Sequence, residues 1–138
     1  KIFPYVEFHI IGKINFINRI YLKSFKNVKV LGPIENLSKF VNKAICGVSN
    51  LRISTGTPTK ILTYMSMGLP VLCNRNSIKN YSNIKKEVIC CKNNKSFSNF
   101  IIELKKNKKT SISLASNGFK KAKKYTWEKT LKDYYKLI

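Results

Sequence analysis

Residues 52–71 read RISTGTPTKILTYMSMGLPV and contain the signals of a loop, a helix and a strand. A loop of small and polar residues leads to Pro58, which suits the first turn of a helix because proline has no N–H to leave unpaired. The residues that follow predict a helix over 59–67 that ends at Gly68, since glycine readily adopts the conformation of a helix C-terminus. Residues 69–73 are apolar and predict a buried strand. A loop, a helix and a buried strand in this order are typical of an α/β protein.

The rest of the chain continues the alternation of strands and helices. Further strands are predicted over 6–11, 28–31, 45–48 and 87–91. Apolar residues at helical spacing predict helices over 35–44 and 97–104, a third over 112–122 capped by Thr110 or Ser111, and a last one after Thr126. Residues 14–24 are expected to form a helix or a loop, and residues 105–109 a solvated loop. We therefore expect one α/β domain whose parallel sheet has helices on both faces and binds ligands beyond the carboxyl ends of its strands.

The composition is strongly basic, with 27 Lys and Arg among 138 residues and a formal net charge of +21. Only three of these residues are Arg, while Asn and Ile are abundant, and this bias is typical of AT-rich coding sequence. The charge alternatively indicates a polyanionic partner, either an anionic membrane surface or nucleic acid. A nucleic-acid-binding surface would set aromatic side chains among its lysines, whereas Phe97, Phe100 and Phe119 fall on apolar stripes that predict core positions.

The cysteines, the single histidine and the acidic residues give no sign of a metal or catalytic centre. Cys46, Cys73, Cys90 and Cys91 lie in apolar runs without CxxC spacing, so we expect buried, reduced thiols. His9 has no neighbouring ligand and is expected to pack on the sheet. The loop over 49–60 has no acidic residue, which disfavours a hydrolase that uses two carboxylates. We expect no metal and no cofactor, and the sequence identifies no catalytic residue.

The loop before the helix has the composition of an anion site. Gly56 allows close approach to the backbone, and Arg52 and Lys60 supply positive charge. Free N–H groups and the dipole at a helix N-terminus attract anions, and a diphosphate fits such a site. On composition alone, an ordinary loop with a helix cap remains the alternative.

The order of residues in this stretch resembles a motif of the group 1 glycosyltransferases, G-x-x-x-K-x-L-E-A/Y-M-A-x-G-x-P-V. The matching residues are Gly56, Lys60, Leu62, Thr63, Tyr64, Met65, Ser66, Gly68, Pro70 and Val71. Three flanking segments resemble further parts of that family in order and spacing. These are residues 8–12 (FHIIG), residues 28–40 (VKVLGPIENLSKF) and residues 125–127 (YTW).

The resemblance implies the C-terminal half of a GT-B fold, a Rossmann-like domain that holds the donor in a retaining sugar transfer. The implied donor is a nucleoside-diphosphate sugar, UDP- or GDP-linked, and the acceptor, a glycan or lipid, is not specified. Residues 56–60 would lie against the diphosphate and the sugar, and residues 32–34 against the base. The complete set of implied donor-binding residues is Gly32, Pro33, Ile34, Arg52, Thr55, Gly56, Thr57, Pro58, Thr59, Lys60 and Thr63.

Two positions depart from the family pattern. Thr63 stands where the family usually has a glutamate that binds ribose, and Thr55 stands where it often has another acid. A hydroxyl still forms hydrogen bonds with ribose, but it is shorter and uncharged. A degenerate domain that serves only as a scaffold or partner is therefore an alternative to an active donor site.

The family pattern also places elements before Lys1, namely the central first strand with an Arg and a Lys for the diphosphate and an N-terminal acceptor-binding domain. We expect residues 1–125 to be a partial nucleotide-sugar-binding domain and residues 126–138 a C-terminal helix. Such a chain is expected to be inactive and poorly stable by itself. The expected location is the cytoplasm, with peripheral contact with the inner face of a membrane.

Overall fold

A computed structural model of the chain describes residues 6–54 and 56–125. The described residues form β1 (Phe8–Ile11), α1 (Phe16–Lys23), β2 (Val28–Gly32), α2 (Ser38–Val41), β3 (Gly47–Ser49), α3 (Thr59–Ser66), β4 (Val71–Cys73), α4 (Arg75–Ile78), β5 (Ile89–Cys90), α5 (Asn94–Lys106) and α6 (Lys108–Ala122). The chain divides into two compact units with a boundary between Lys39 and Phe40.

The first unit contains a two-stranded parallel sheet. Phe8 of β1 lies opposite Val28 of β2, and the register shifts between Ile10 and Ile11. The connecting helix α1 packs on β2 and begins at Asn15, whose side chain accepts a hydrogen bond from the backbone N–H of Asn18 at 2.8 Å. This unit is therefore a strand–helix–strand crossover, which is the building block of a parallel sheet.

The second unit contains a three-stranded parallel sheet in the order β3-β4-β5. Gly47 lies opposite Val71, and Leu72 lies opposite Ile89. Every strand pair among the described residues is parallel, so the predicted α/β class with parallel strands is confirmed. The strand that the family pattern places before Lys1 lies outside these residues and stays a prediction.

Helices cover both faces of the three-stranded sheet. On one face, Val71 and Cys73 pack with Ile61 and Met65 of α3, all of them fully buried. On the other face, Leu72 packs with Leu104 of α5 in a second apolar cluster. Full burial of an aliphatic side chain stabilises a fold by roughly 1.5–3 kcal/mol, so these two clusters hold α3 and α5 on the sheet.

Several predicted helix bounds are wrong. The helix expected over 35–44 is only the single turn of α2. The loop expected over 105–109 is instead the junction of two helices, because Asn107 is both the C-cap of α5 and the N-cap of α6. The Asn107 side chain accepts from the N–H of Thr110 at 3.1 Å, so neither Thr110 nor Ser111 is the cap.

Some predicted core positions are also wrong. Phe97 and Phe100 pack against the second apolar cluster as expected, but Phe119 is 39% exposed and lies under the Nζ of Lys123, 4.6 Å from the ring centroid. Cys90 is exposed, contrary to the expectation that all four thiols are buried. Cys90 ends β5, the last strand in the order β3-β4-β5, whereas Cys91 lies beyond the strand and packs in the second apolar cluster, so only one of the two thiols is buried. The helix predicted after Thr126 lies outside the described residues.

Candidate functional site

The loop over 50–58 leaves the carboxyl end of β3 and leads into α3. Proline occupies the N-cap position of α3, and no side chain caps the helix. The first turn has no acidic residue, and the exposed residues Gly56, Thr57, Thr59 and Lys60 surround it. The N–H of Ile61 donates to Pro58 O at 3.3 Å. The N–H groups before it, at an exposed helix start that lacks a side-chain cap and is flanked by a lysine, are suited to bind an anion.

A close contact between strand and helix sets the position of α3. A Cβ atom added to Gly47 would lie 2.3 Å from Cγ of Tyr64, far inside van der Waals contact. Only glycine therefore allows the Tyr64 ring to lie directly on β3. Because Gly47 precedes the loop and Tyr64 follows it, this contact fixes the distance that the loop spans.

The loop is also held by the segment that follows β4. Four side chains of this segment, which we call the brace, donate hydrogen bonds to carbonyl oxygens of the loop. They are Asn74, Asn76, Asn80 and Tyr81. They donate to Leu51 O at 2.7 Å, Arg52 O at 2.7 Å, Gly56 O at 2.9 Å and Pro58 O at 2.6 Å, respectively. Because β3 and β4 are parallel, the loop and the brace both begin at the carboxyl edge of the sheet.

A buried serine pair supports the base of the brace. The Ser77 hydroxyl, fully buried, lies 2.9 Å from the carbonyl oxygen of Ser49 and 2.7 Å from the side-chain oxygen of Asn74. The Asn74 side-chain oxygen also caps α4 by accepting from the N–H of Ser77 at 3.0 Å. Buried polar groups that are bonded to one another make a rigid local structure, so the start of the loop is tied to the start of α4.

Tyr81 is the buried member of the brace. Its side chain belongs to the first apolar cluster, and its ring makes an edge contact with Tyr125 at 6.2 Å. Burial, together with the neighbouring Tyr125, raises the pKa of Tyr81 to about 12. The phenol therefore stays protonated over the physiological range and remains a donor to Pro58 O.

The hydroxyl of Thr63 is turned towards its own helix. It donates to the carbonyl oxygen of Thr59, one turn earlier, at 3.1 Å. A threonine in a helix commonly makes this bond, which occupies the hydroxyl proton but leaves the oxygen able to accept. The side chain is half-buried, in contrast to the exposed Lys60.

Three predicted site residues lie in the first unit, and one lies outside the described residues. Gly32 ends β2 with a φ of 73°, and Pro33 and Ile34 follow it at the carboxyl end of that strand. These three residues belong to the first unit, so a cleft shared with residues 56–60 stays a prediction. Thr55 lies outside the described residues.

Sequence reasoning missed the brace entirely. The run NRNSIKNY over 74–81 has no apolar period, so it gave no helix signal. An asparagine directly after a buried strand, with a serine three residues later, is nevertheless the pattern of a helix cap and could have identified α4.

The described part of the chain contains no group of three His, Cys, Asp or Glu residues that could hold a metal ion. It also contains no helix that is long and apolar enough to cross a membrane. Its four cysteines are free, and burial raises the pKa of Cys46 and of Cys73 to about 12. These thiols are therefore protonated at neutral pH and poor nucleophiles.

Comparison with known families gives a match over most of the chain. Residues 1–107 match the family model described as glycosyl transferases group 1. The matched region includes both sheets, the loop over 50–58, α3 and the brace. No curated protein matches the chain at a significant level.

Proposed function

The chain belongs to the glycosyl transferases group 1 family, and from this membership we propose that residues 56–60 bind the diphosphate of a nucleoside-diphosphate sugar. The observation that carries the proposal is the uncapped, exposed start of α3 with Lys60 in its first turn and no acidic residue there. A diphosphate is the part of the donor that needs N–H donors and positive charge.

The finer features of the reaction follow the family pattern. The proposed donor is UDP- or GDP-linked, and the proposed reaction is a retaining transfer to a glycan or lipid acceptor that an N-terminal domain would hold. Gly32, Pro33 and Ile34 would contact the base. Thr63 replaces the acid that would bind ribose, so ribose contributes less to affinity here than the diphosphate does.

Calorimetric titration of the full-length protein with UDP and with GDP tests the proposal. Lys60→Ala should weaken binding of the preferred nucleotide by about tenfold, because a charge-assisted bond is lost. Lys106→Ala is the matched control, since Lys106 is also exposed but lies in the last turn of α5. Equal losses in the two variants would mean that the nucleotide responds only to the overall charge of +21.

A scaffold role is the alternative function and predicts a different titration. Thr63 and Thr55, in place of the usual acids, favour this alternative. A folded full-length protein that binds neither UDP nor GDP would support the scaffold and contradict the donor site.

We also propose contact with an anionic membrane surface through α1. Phe16, Ile17, Ile20 and Tyr21 are 57–77% exposed and lie along one side of this helix, and Arg19 is among its basic residues. An apolar face flanked by basic side chains is suited to the boundary between lipid headgroups and acyl chains.

Sedimentation with phosphatidylcholine vesicles, with and without phosphatidylglycerol, tests this contact. Ile17→Ser should reduce binding to the anionic vesicles, whereas Ile112→Ser, at a similarly exposed position on α6, should not. Equal binding to both vesicle types, or equal effects of both substitutions, would contradict the proposal.

A further inference from the structure

The brace acts on the two peptide groups that flank Thr57 and Pro58. Asn80 donates to Gly56 O at 2.9 Å, and Tyr81 donates to Pro58 O at 2.6 Å. Gly56 O accepts a second hydrogen bond from the Ser54 hydroxyl at 2.7 Å. Gly56 C=O is therefore held by side chains alone, whereas Pro58 C=O is held by the Tyr81 hydroxyl together with the N–H of Ile61 in α3, at 3.3 Å.

Fixing a carbonyl also fixes the N–H of the next residue. In a planar trans peptide the C=O of one residue and the N–H of the next point in opposite directions. With Gly56 C=O turned to Asn80, the N–H of Thr57 points away from the brace. With Pro58 C=O turned to Tyr81, the N–H of Thr59 also points away from it.

We infer that Asn80 and Tyr81 are positioning residues that orient the N–H groups of Thr57 and Thr59 towards the diphosphate. This inference rests on the proposed function of residues 56–60. The two side chains do not touch the ligand, and they act only through the backbone of the loop. Preorganised donors bind an anion more tightly because no reorganisation is needed when it arrives.

The variants Tyr81→Phe and Asn80→Ala test the inference in the full-length protein. Tyr81→Phe removes only the hydroxyl and keeps the ring in the apolar cluster. Tyr125→Phe is the matched control, because it removes a hydroxyl that donates to Ser82 O at 3.3 Å and not to the loop. Asn80 is exposed, so its truncation leaves the core unchanged.

Two readouts separate positioning from a general loss of stability. Affinity for UDP and GDP should fall about three- to tenfold in each of the two variants, as expected for one lost hydrogen bond, and should be unchanged in Tyr125→Phe. Affinity for UMP and GMP, which lack the second phosphate, should change less. Amide exchange over 51–58 should become faster in the two variants only.

The outcomes distinguish the inference from the function on which it rests. Binding of a nucleoside diphosphate that the double variant Asn80→Ala/Tyr81→Phe leaves unchanged would overturn the positioning role alone. Equal losses for the diphosphates and the monophosphates would also overturn it. A wild-type protein that binds neither UDP nor GDP would overturn the proposed function and the positioning role together.

Discussion

Substitution of Gly47 by alanine should destabilise the second unit and reveal the contact that positions α3. The new Cβ would lie 2.3, 2.4 and 2.9 Å from three carbon atoms of Tyr64. Carbon atoms in contact are normally about 3.5–4.0 Å apart, so the ring or the helix must move by more than roughly 1 Å. Overpacking of a buried site costs about 1–3 kcal/mol, and this contact lies at the upper end because it involves atoms next to the helix backbone.

The assay is urea unfolding followed by circular dichroism, in a double-mutant cycle with Tyr64→Ala. Gly47→Ala should lower the free energy of unfolding by about 2–3 kcal/mol in the wild-type background and by about 0.5 kcal/mol or less once the ring is absent. Gly56→Ala is the control, since a Cβ at that exposed position meets no atom within 4 Å. The same loss of stability with and without the Tyr64 ring would refute the steric argument.

Three further predictions concern donor binding, the thiols and pH. Thr63→Glu should tighten nucleotide binding by about tenfold if ribose lies over α3, because the substitution adds a charged hydrogen-bond acceptor. Ser66→Glu on the same helix is the control, and no gain in affinity for UDP or GDP would mean that ribose lies elsewhere. Iodoacetamide should modify exposed Cys90 first and buried Cys73 last, as peptide mass spectrometry would detect; early labelling of Cys73 would contradict its burial. The stability contributed by the buried thiols should be constant below about pH 9 and be lost as pH rises towards about 12, because Cys46 and Cys73 ionise from 9.0 when unfolded but only at about 12 when folded. Urea unfolding between about pH 8 and about pH 12 checks it, and a flat profile over this range would contradict it.

The elements with strong local signals are those that the sequence predicts well. Gly68 ends α3 with a φ of 70°, close to where the sequence places the end of the helix. The apolar run over 69–73 contains the fully buried β4. Glycine at a helix end and a continuous apolar run depend little on distant residues, which explains why these predictions are accurate.

The errors arise where tertiary contacts or small polar residues decide the structure. Ile112 and Phe119 have helical spacing but are exposed, whereas Ala122 of the same spacing is buried as expected. The face of α6 that packs on α3 also carries the small buried residue Gly118. A Cβ on Gly118 would lie 3.2 Å from the Met65 side chain, so α6 approaches α3 through its smallest residue. Hydrophobic periodicity cannot detect a helix face that is defined by close backbone approach.

The sequence predicts a loop between a buried strand and a helix, as the structure has it, but it does not predict the brace that supports this loop. An anion site at residues 56–60 stays a prediction, because on composition alone an ordinary loop with a helix cap also accounts for the small residues and Lys60. The brace acts from a segment about 25 residues further along the chain, and nothing in the local pattern pairs it with the loop. Only the parallel pairing of β3 with β4 brings the two segments together.

A diphosphate that lies against the loop at Gly56 should be excluded by a single methyl group added there. In the described structure a Cβ at Gly56 meets no atom within 4 Å, so Gly56→Ala should leave the thermal midpoint of the full-length protein unchanged. The same methyl group would occupy the space that a bound diphosphate needs, so calorimetric affinity for UDP or GDP should fall by about tenfold or more. A Gly56→Ala protein that is equally stable and binds the nucleotide as tightly as the wild type would contradict the claim.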